Sequence, residues 1–139
     1  MVRIKYNAEL LKLMSMFENR TGVKIKDCFF DNFKRLWFVV NEGDVGRAVG
    51  RNGSKARRLE QLLKQRLRIF EFTPDLKAFV QGLIYPLKAE EIIINGDIVT
   101  IKGADTKTKG LLIGRNAQNL GNYESIIKRY FPVEKVRVA

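Results

Sequence analysis

The chain has 139 residues, enough for one domain or two very small ones. Its 26 Lys and Arg against 15 Asp and Glu leave a net charge of +11, which points to a polyanionic partner, nucleic acid or an anionic membrane surface. At 45% hydrophobic it can bury a core, and no apolar run approaches the roughly 20 residues that a membrane span needs.

Leu10, Leu11, Met14 and Phe17 fall at helical spacing, with Asn7 placed to cap the start and Gly22 to end the helix. Val23 to Phe30 and Arg35 to Val40 are rich in β-branched and aromatic residues around Asp31-Asn32, and read as a hairpin. A short helix over Gly43 to Val49 is expected to stop at a Gly50–Gly53 turn. Ser54 to Gln65 then forms a second helix with Leu59, Leu62 and Leu63 on its buried side. Arg66 to Phe72 reads as a strand.

The same order of elements then returns. Thr73 reads as a cap, with Pro74 at the first position of a helix to about Leu83. Glu91 to Ile94 and Ile98 to Lys102 flank Asn95-Gly96-Asp97, whose Asn-Gly pair is a strong hairpin signal. Thr106 to Ile113 is a short helix, Gly114–Ala117 a turn, Gln118 to Tyr130 a long helix and Glu134 to Val138 the last strand. The expected organisation is therefore two units, residues 1–72 and 73–139. The Thr73-Pro74 junction has no Gly/Ser-rich linker.

A repeat of about 64 residues underlies this order. Gly46, Gly50, Arg51 and Asn52 recur as Gly110, Gly114, Arg115 and Asn116, and Glu60 and Lys64 recur as Glu124 and Lys128. Residues 1–72 carry 16 basic and 8 acidic side chains, net +8; residues 73–139 carry 10 and 7, net +3. Between Asp44 and Glu60 stand Arg47, Arg51, Lys55, Arg57 and Arg58 with no acid. Lys107, Lys109 and Arg115 likewise stand in an acid-free window around the second turn. A charge run alone is usually a solvated helix face. Here both runs coincide with glycine turns, which favours a polyanion site.

Val49-Gly50-Arg51-Asn52-Gly53-Ser54-Lys55, between two helices and beside a three-stranded sheet, resembles the GXXG signature of KH domains. The helix-strand-strand-helix-helix-strand order is similar to the type II variant. Two such units in tandem resemble the archaeal NusA-type transcription factors. The resemblance implies an α+β fold (an α/β sandwich), each unit a three-stranded mixed sheet covered by helices on one face. It also implies a single-stranded RNA-binding protein acting in transcription elongation and termination, with RNA polymerase as a further partner. The residues it points to are Arg47, Ala48, Val49, Gly50, Arg51, Asn52, Gly53, Ser54, Lys55, Arg57 and Arg58 in the first unit. In the second they are Gly110, Leu112, Ile113, Gly114, Arg115, Asn116, Ala117 and Gln118. Ala117 departs from the signature, standing where the second glycine belongs; alanine tolerates helical dihedrals and opens the next helix well, so the turn is expected to survive, with the methyl group narrowing the approach of a phosphate.

The residues support such a site without the family. Glycines lack a Cβ, so a sugar-phosphate backbone can come close. A following helix aims free N–H groups and a partial positive charge at the same spot. Arg51 and Asn52 add contacts to phosphate oxygens, Arg47 and Lys55 extend the field, and Ala48, Val49, Leu112 and Ile113 are expected to floor the grooves. Phe29, Phe30, Phe33, Trp37 and Phe38 suit either a base-stacking platform or a core. The alternation around Leu36, Phe38 and Val40 favours the core, and Tyr85, Tyr123, Tyr130 and Phe131 are read the same way.

Enzyme readings lack residues. There is no histidine and one cysteine, so zinc clusters and the usual acid–base constellations are missing. Ser54-Lys55 reverses the order of a P-loop, and the glycine spacing does not fit a dinucleotide fingerprint. No catalytic residue, metal or cofactor is expected. Cys28 reads as a small core residue of a reducing compartment. With no signal-peptide pattern at the N-terminus, the expected location is the cytoplasm. A membrane partner is disfavoured because no basic amphipathic helix carries an aromatic apolar face. A monomer is expected. The competing reading from another class is a structural ribonucleoprotein component, a ribosome-associated KH protein.

Overall fold

Asn7 sits in extended backbone and its side chain accepts a hydrogen bond from Leu10 N, which sets the start of helix α1 (Ala8–Thr21). Gly22, at φ 72°, closes the helix through a bond from its N–H to Glu18 O. The computed structural model describes residues 6–139. They fall into two units, residues 6–73 and Pro74–Ala139. The first five residues of the expected 1–72 unit lie outside the described residues.

In the first unit α1 is followed by β1 (Ile25–Phe30), β2 (Leu36–Val40), α2 (Val45–Val49), α3 (Ser54–Leu63) and β3 (Leu67–Glu71). The sheet order is β1-β2-β3, with β1 antiparallel and β3 parallel to the central β2. All five residues of β2 are buried, so this strand is covered on both faces and shows no polar alternation. Leu36, Phe38 and Val40 join Leu13 and Phe17 of α1, Ala48 of α2 and Leu59 of α3 in one core. The Phe17 and Phe38 rings stack at 4.4 Å. On β2's opposite face Trp37 packs against Phe29 and Phe70, each at 5.6 Å, and the Arg68 guanidinium lies 4.6 Å from the Trp37 ring centre.

The hairpin loop between β1 and β2 is fixed by one carboxylate. Asp31 accepts from Phe33 N, Arg35 N, Arg35 Nε and Trp37 Nε1, each at 2.9 Å. Burial pushes this carboxyl up, but the bonds from Arg35 and Trp37 and the Arg35 charge more than offset it, and its pKa lies below the ordinary value of 3.8.

Several side chains depart from the sequence expectation. Leu13 rather than Leu11 faces the core, because α1 presents a Leu10/Leu13/Met14/Phe17 stripe and Leu11 lies outside it. Leu62 is 44% exposed, one position off the Leu59/Leu63 stripe of α3. Phe30 and Phe33 at the end of the hairpin, and Tyr85 in the second unit, are exposed rather than core.

The second unit runs α4 (Leu76–Ile84), β4 (Ala89–Asn95), β5 (Ile98–Gly103), α5 (Thr106–Ile113), α6 (Gln118–Tyr130) and β6 (Lys135–Val138). Its sheet order is β4-β5-β6, with β5 antiparallel to β4 and parallel to β6. Asp75, not Thr73, caps α4: its side chain accepts from Ala78 N. Capping needs an oxygen three residues before its donor, and Pro74 therefore stays outside the helix. In the β4–β5 hairpin Asn95 remains in the strand, pairing with Ile98. The loop is Gly96-Asp97, with Gly96 alone at positive φ, the pattern of a type II′ turn. Phe79, Leu83, Ile84, Ile101, Leu112 and Ile127 form the buried centre of this unit. No helix among the described residues is long and apolar enough to cross a membrane.

Candidate nucleic-acid interface

The two glycine turns follow one backbone path. Helix α2 ends at Gly50 (φ 80°, ψ 171°), Asn52 is left-handed at φ 54°, ψ 29°, and Gly53 follows at φ 74°, ψ 15°. After α5, Gly114 stands at φ 75°, ψ 177°, Asn116 at φ 54°, ψ 32°, and Ala117 at φ 58°, ψ 25°. The closing bonds also match: Gly50 N to Gly46 O at 3.0 Å and Gly53 N to Gly50 O at 3.1 Å, against Gly114 N to Gly110 O at 2.8 Å and Ala117 N to Gly114 O at 3.2 Å. Asparagine is among the few side chains that accept the left-handed region readily. This accounts for the repetition of Asn52 at Asn116. The expected turn forms, and it holds Ala117 in the left-handed region and not at right-handed helical dihedrals.

Gly50 and Gly114 are required by the protein's own packing. A Cβ on Gly50 would lie 2.7 Å from Lys55 Cγ and 3.0 Å from Lys55 N; one on Gly114 would lie 2.6 Å from Asn119 Cγ. These two neighbours do the same work. Lys55 Nζ donates to Arg47 O at 3.1 Å and to Thr21 O at 3.2 Å, and Asn119 Nδ2 donates to Leu111 O at 2.8 Å. Lys55 and Asn119 are equivalent in the repeat, as are Arg47 and Leu111. Each side chain thus ties the start of the later helix to the last turn of the earlier one, satisfying a carbonyl that helix geometry leaves without a partner. Lys55 is therefore part of the turn's scaffold more than an extension of its field.

The charge inventory around the first turn narrows accordingly. Arg47 pairs with Asp44 at 2.7 Å, and Arg57 donates to Asn52 O at 2.6 Å. Arg51 and Arg58 are exposed and make no hydrogen bond or ion pair among the described residues. Around the second turn Lys107, Lys109, Arg115, Asn116, Ala117 and Gln118 are exposed. The cap residues of α3 and α6, Gly53 and Ala117, make no side-chain cap bond, so among the described residues neither N-terminus is capped by a side chain. Each helix presents its positive dipole end directly behind a left-handed asparagine and an exposed arginine.

The four residues expected to floor the grooves divide by burial. Ala48 and Leu112 are fully buried, their small or branched side chains turned into the two cores, and are corrected to core residues. Val49 and Ile113 remain partly exposed beside the turns, and Gly110 is exposed on α5. The recurrence of Glu60 as Glu124 proves to be structural. Glu60 accepts from Leu67 N at 3.2 Å and Glu124 from Val136 N at 2.8 Å, each carboxylate docking the last strand of its unit. Burial pushes the Glu124 carboxyl up, but Val136 N–H and the Lys128 ammonium more than offset it and hold it below 4.5. Lys128 pairs with Glu124 at 3.2 Å, whereas Lys64 closes α3 in the left-handed region, so that half of the repeat diverges.

Residues outside the sequence reading also gather near the first turn. Arg20 at the end of α1 joins Lys55, Arg58, Leu59, Gln61 and Leu62 of α3 around an open groove of about 550 Å³. The only sequence signal for Arg20 was its basic charge near a helix end.

The KH domain family model matches residues 12–81. The chain is 26% identical to "Probable transcription termination protein NusA" of Methanocaldococcus jannaschii, over 99% of this chain and 76% of that one. It is 27% identical to the protein of the same description from Methanococcus vannielii, over 99% and 80%. For that of Halobacterium salinarum the identity is 26%, over 97% and 98%. The crystal structure of APE1850 superposes with a TM-score of 0.77 at 31% identity, covering 96% of this chain and 100% of that one.

Proposed function

The chain belongs to the KH domain family, and from that membership we propose that it is a single-stranded RNA-binding protein acting in transcription termination and elongation. The observation that carries this reading is the duplicated turn: an exposed Arg-Asn tip on a left-handed backbone, in front of a helix N-terminus that no side chain caps. In this reading the units at residues 1–72 and 73–139 are tandem KH domains of type II. RNA phosphates approach the Gly50–Gly53 and Gly114–Ala117 turns, where helix N–H groups and the partial positive charge meet them. Arg51 and Arg115 add charge-assisted bonds, and Asn52 and Asn116 amide contacts. Val49, Gly53, Ser54, Ile113 and Gln118 border the path of the strand. Bases splayed from the phosphates lie against Val49 and Ile113, which suits single strands and not duplexes.

The description carried by the similar proteins, transcription termination protein, supports the placement in transcription; RNA polymerase as a further partner and a cytoplasmic setting are part of the same proposal. The assignment is one of binding, with no reaction. The test is a salt titration of RNA affinity. Phosphate-dominated binding gives log Kd linear in log salt with a slope of several units, and a preference for single-stranded over hairpin RNA. Salt-independent affinity would refute the reading. Equal affinity for a perfect stem would favour a structural ribonucleoprotein role.

A further inference from the structure

The α1–α3 groove is separate in composition from the turn and next to it in space. Lys55 belongs to both: its ammonium lies on Arg47 O at the end of α2, and its chain lines the groove. From there Arg58, Gln61 and Leu62 continue along α3 at positions three, six and seven residues on, a single helix face. Arg20 approaches from the last turn of α1. Arg20, Arg58 and Gln61 are exposed and bond to nothing among the described residues. Leu62 is 44% exposed although apolar, and the buried Leu59 lies beside it. Among the described residues no acidic side chain lines the groove.

We propose that this groove is a nucleotide subsite for the RNA strand as it runs on from the first turn. Arg20 and Arg58 bind a phosphate, Leu62 and Leu59 carry the ribose or base face, and the Gln61 amide, both donor and acceptor, reads a base edge. The proposal rests on the RNA-binding reading of the turns. Charge complementarity selects a polyanion, and the continuous line from the turn through Lys55 selects the same strand over a separate acidic protein.

The test uses the full chain and fluorescence anisotropy with labelled single-stranded RNAs of increasing length. A groove variant, Arg20→Ser with Leu62→Ser, changes two exposed positions; a turn variant, Arg51→Asp with Asn52→Asp, serves as comparison. The groove variant is expected to bind RNA of about four nucleotides as the wild type does, since that length fills the turn. It should lose about tenfold on longer strands, the low end of one base contact on a single-strand binder. The turn variant should lose affinity at every length. Crosslinking of 4-thiouridine RNA to the α3 segment bearing Gln61 is the supporting readout that needs no variant. Wild-type affinity of the groove variant at all lengths, with the turn variant weakened, overturns the subsite and leaves the groove to an acidic protein segment. If the wild type binds no single strand, the reading of the turns falls first and the subsite with it.

Discussion

Replacing Ala117 by glycine should stabilise the second unit, against the usual cost of glycine at a helix start. Ala117 is held at φ 58°, ψ 25°, where a side chain's Cβ crowds the following carbonyl at a cost of about 1–2 kcal/mol. Glycine removes that strain but loses about 0.5–1 kcal/mol of extra backbone freedom on folding. The balance is a gain of about 0.5–1 kcal/mol, and for a unit of this size about 2–8 °C in Tm. The mirror substitution is Gly53→Ala, at φ 74°. The Cβ it adds would meet nothing nearer than the Arg57 guanidinium at 3.4 Å, so its cost is backbone strain alone, of similar size and opposite sign. Thermal melts of both variants by circular dichroism make the comparison. An Ala117→Gly Tm at or below wild type would refute the strain argument. The same substitution also clears a methyl group from the second turn, so RNA affinity should not fall.

Two further predictions follow from the same geometry. Lys55→Asn copies the second unit's clamp and should keep most RNA affinity, while Lys55→Met, which leaves Arg47 O and Thr21 O without their donor, should lose at least several-fold; equal losses would mean that Lys55 acts through charge. Asp31→Asn should cost about 1.5–3 kcal/mol, the range for hydrogen bonds to a charged group. Because the Asp31 pKa is depressed in the folded state, its contribution is fully present above pH 3.8 and is lost as pH falls through the lower folded value. Acid unfolding of the Asn variant should therefore be less steep below pH 3.8, and an unchanged acid limb would sink the argument.

Element order was legible because it rests on local signals: Asn7 and Gly22 at the ends of α1, β-branched runs in β2 and β5, and a repeat that placed the same turn twice. What the sequence hid was direction. Leu62 and Leu63 are adjacent and equally apolar, yet only Leu63 packs on the core, since a helix turns about 100° per residue. Ala48 and Leu112 lie next to turn residues in sequence but are carried inward by that rotation. Asp31 stood in a turn-prone pair with nothing to announce four converging donors, because Arg35 and Trp37 reach it only once the hairpin has closed. The same holds for Lys55: its partners, Thr21 O and Arg47 O, are backbone atoms and leave no trace in side-chain identity.

This blindness bears directly on how the two turns rank. By composition the first has five neighbouring cations, Arg47, Arg51, Lys55, Arg57 and Arg58, and should dominate strongly. In the fold Arg47 is paired with Asp44, Lys55 is clamped, and Arg57 is drawn onto Asn52 O. Their charges still add to the field, but they do not reach a phosphate without giving up existing bonds. Arg51 and Arg58 then face Arg115, Lys107 and Lys109 on nearly equal terms. The first turn retains one advantage, Gly53 in place of Ala117 and its methyl. Arg51→Asp with Asn52→Asp should thus cost more RNA affinity than Arg115→Asp with Asn116→Asp, by only a few-fold. A gap of about a hundredfold at low salt would mean that the paired cations are recruited by RNA after all. A larger loss from the second turn, with unchanged melting, would make Ile113 and its neighbours the principal reader.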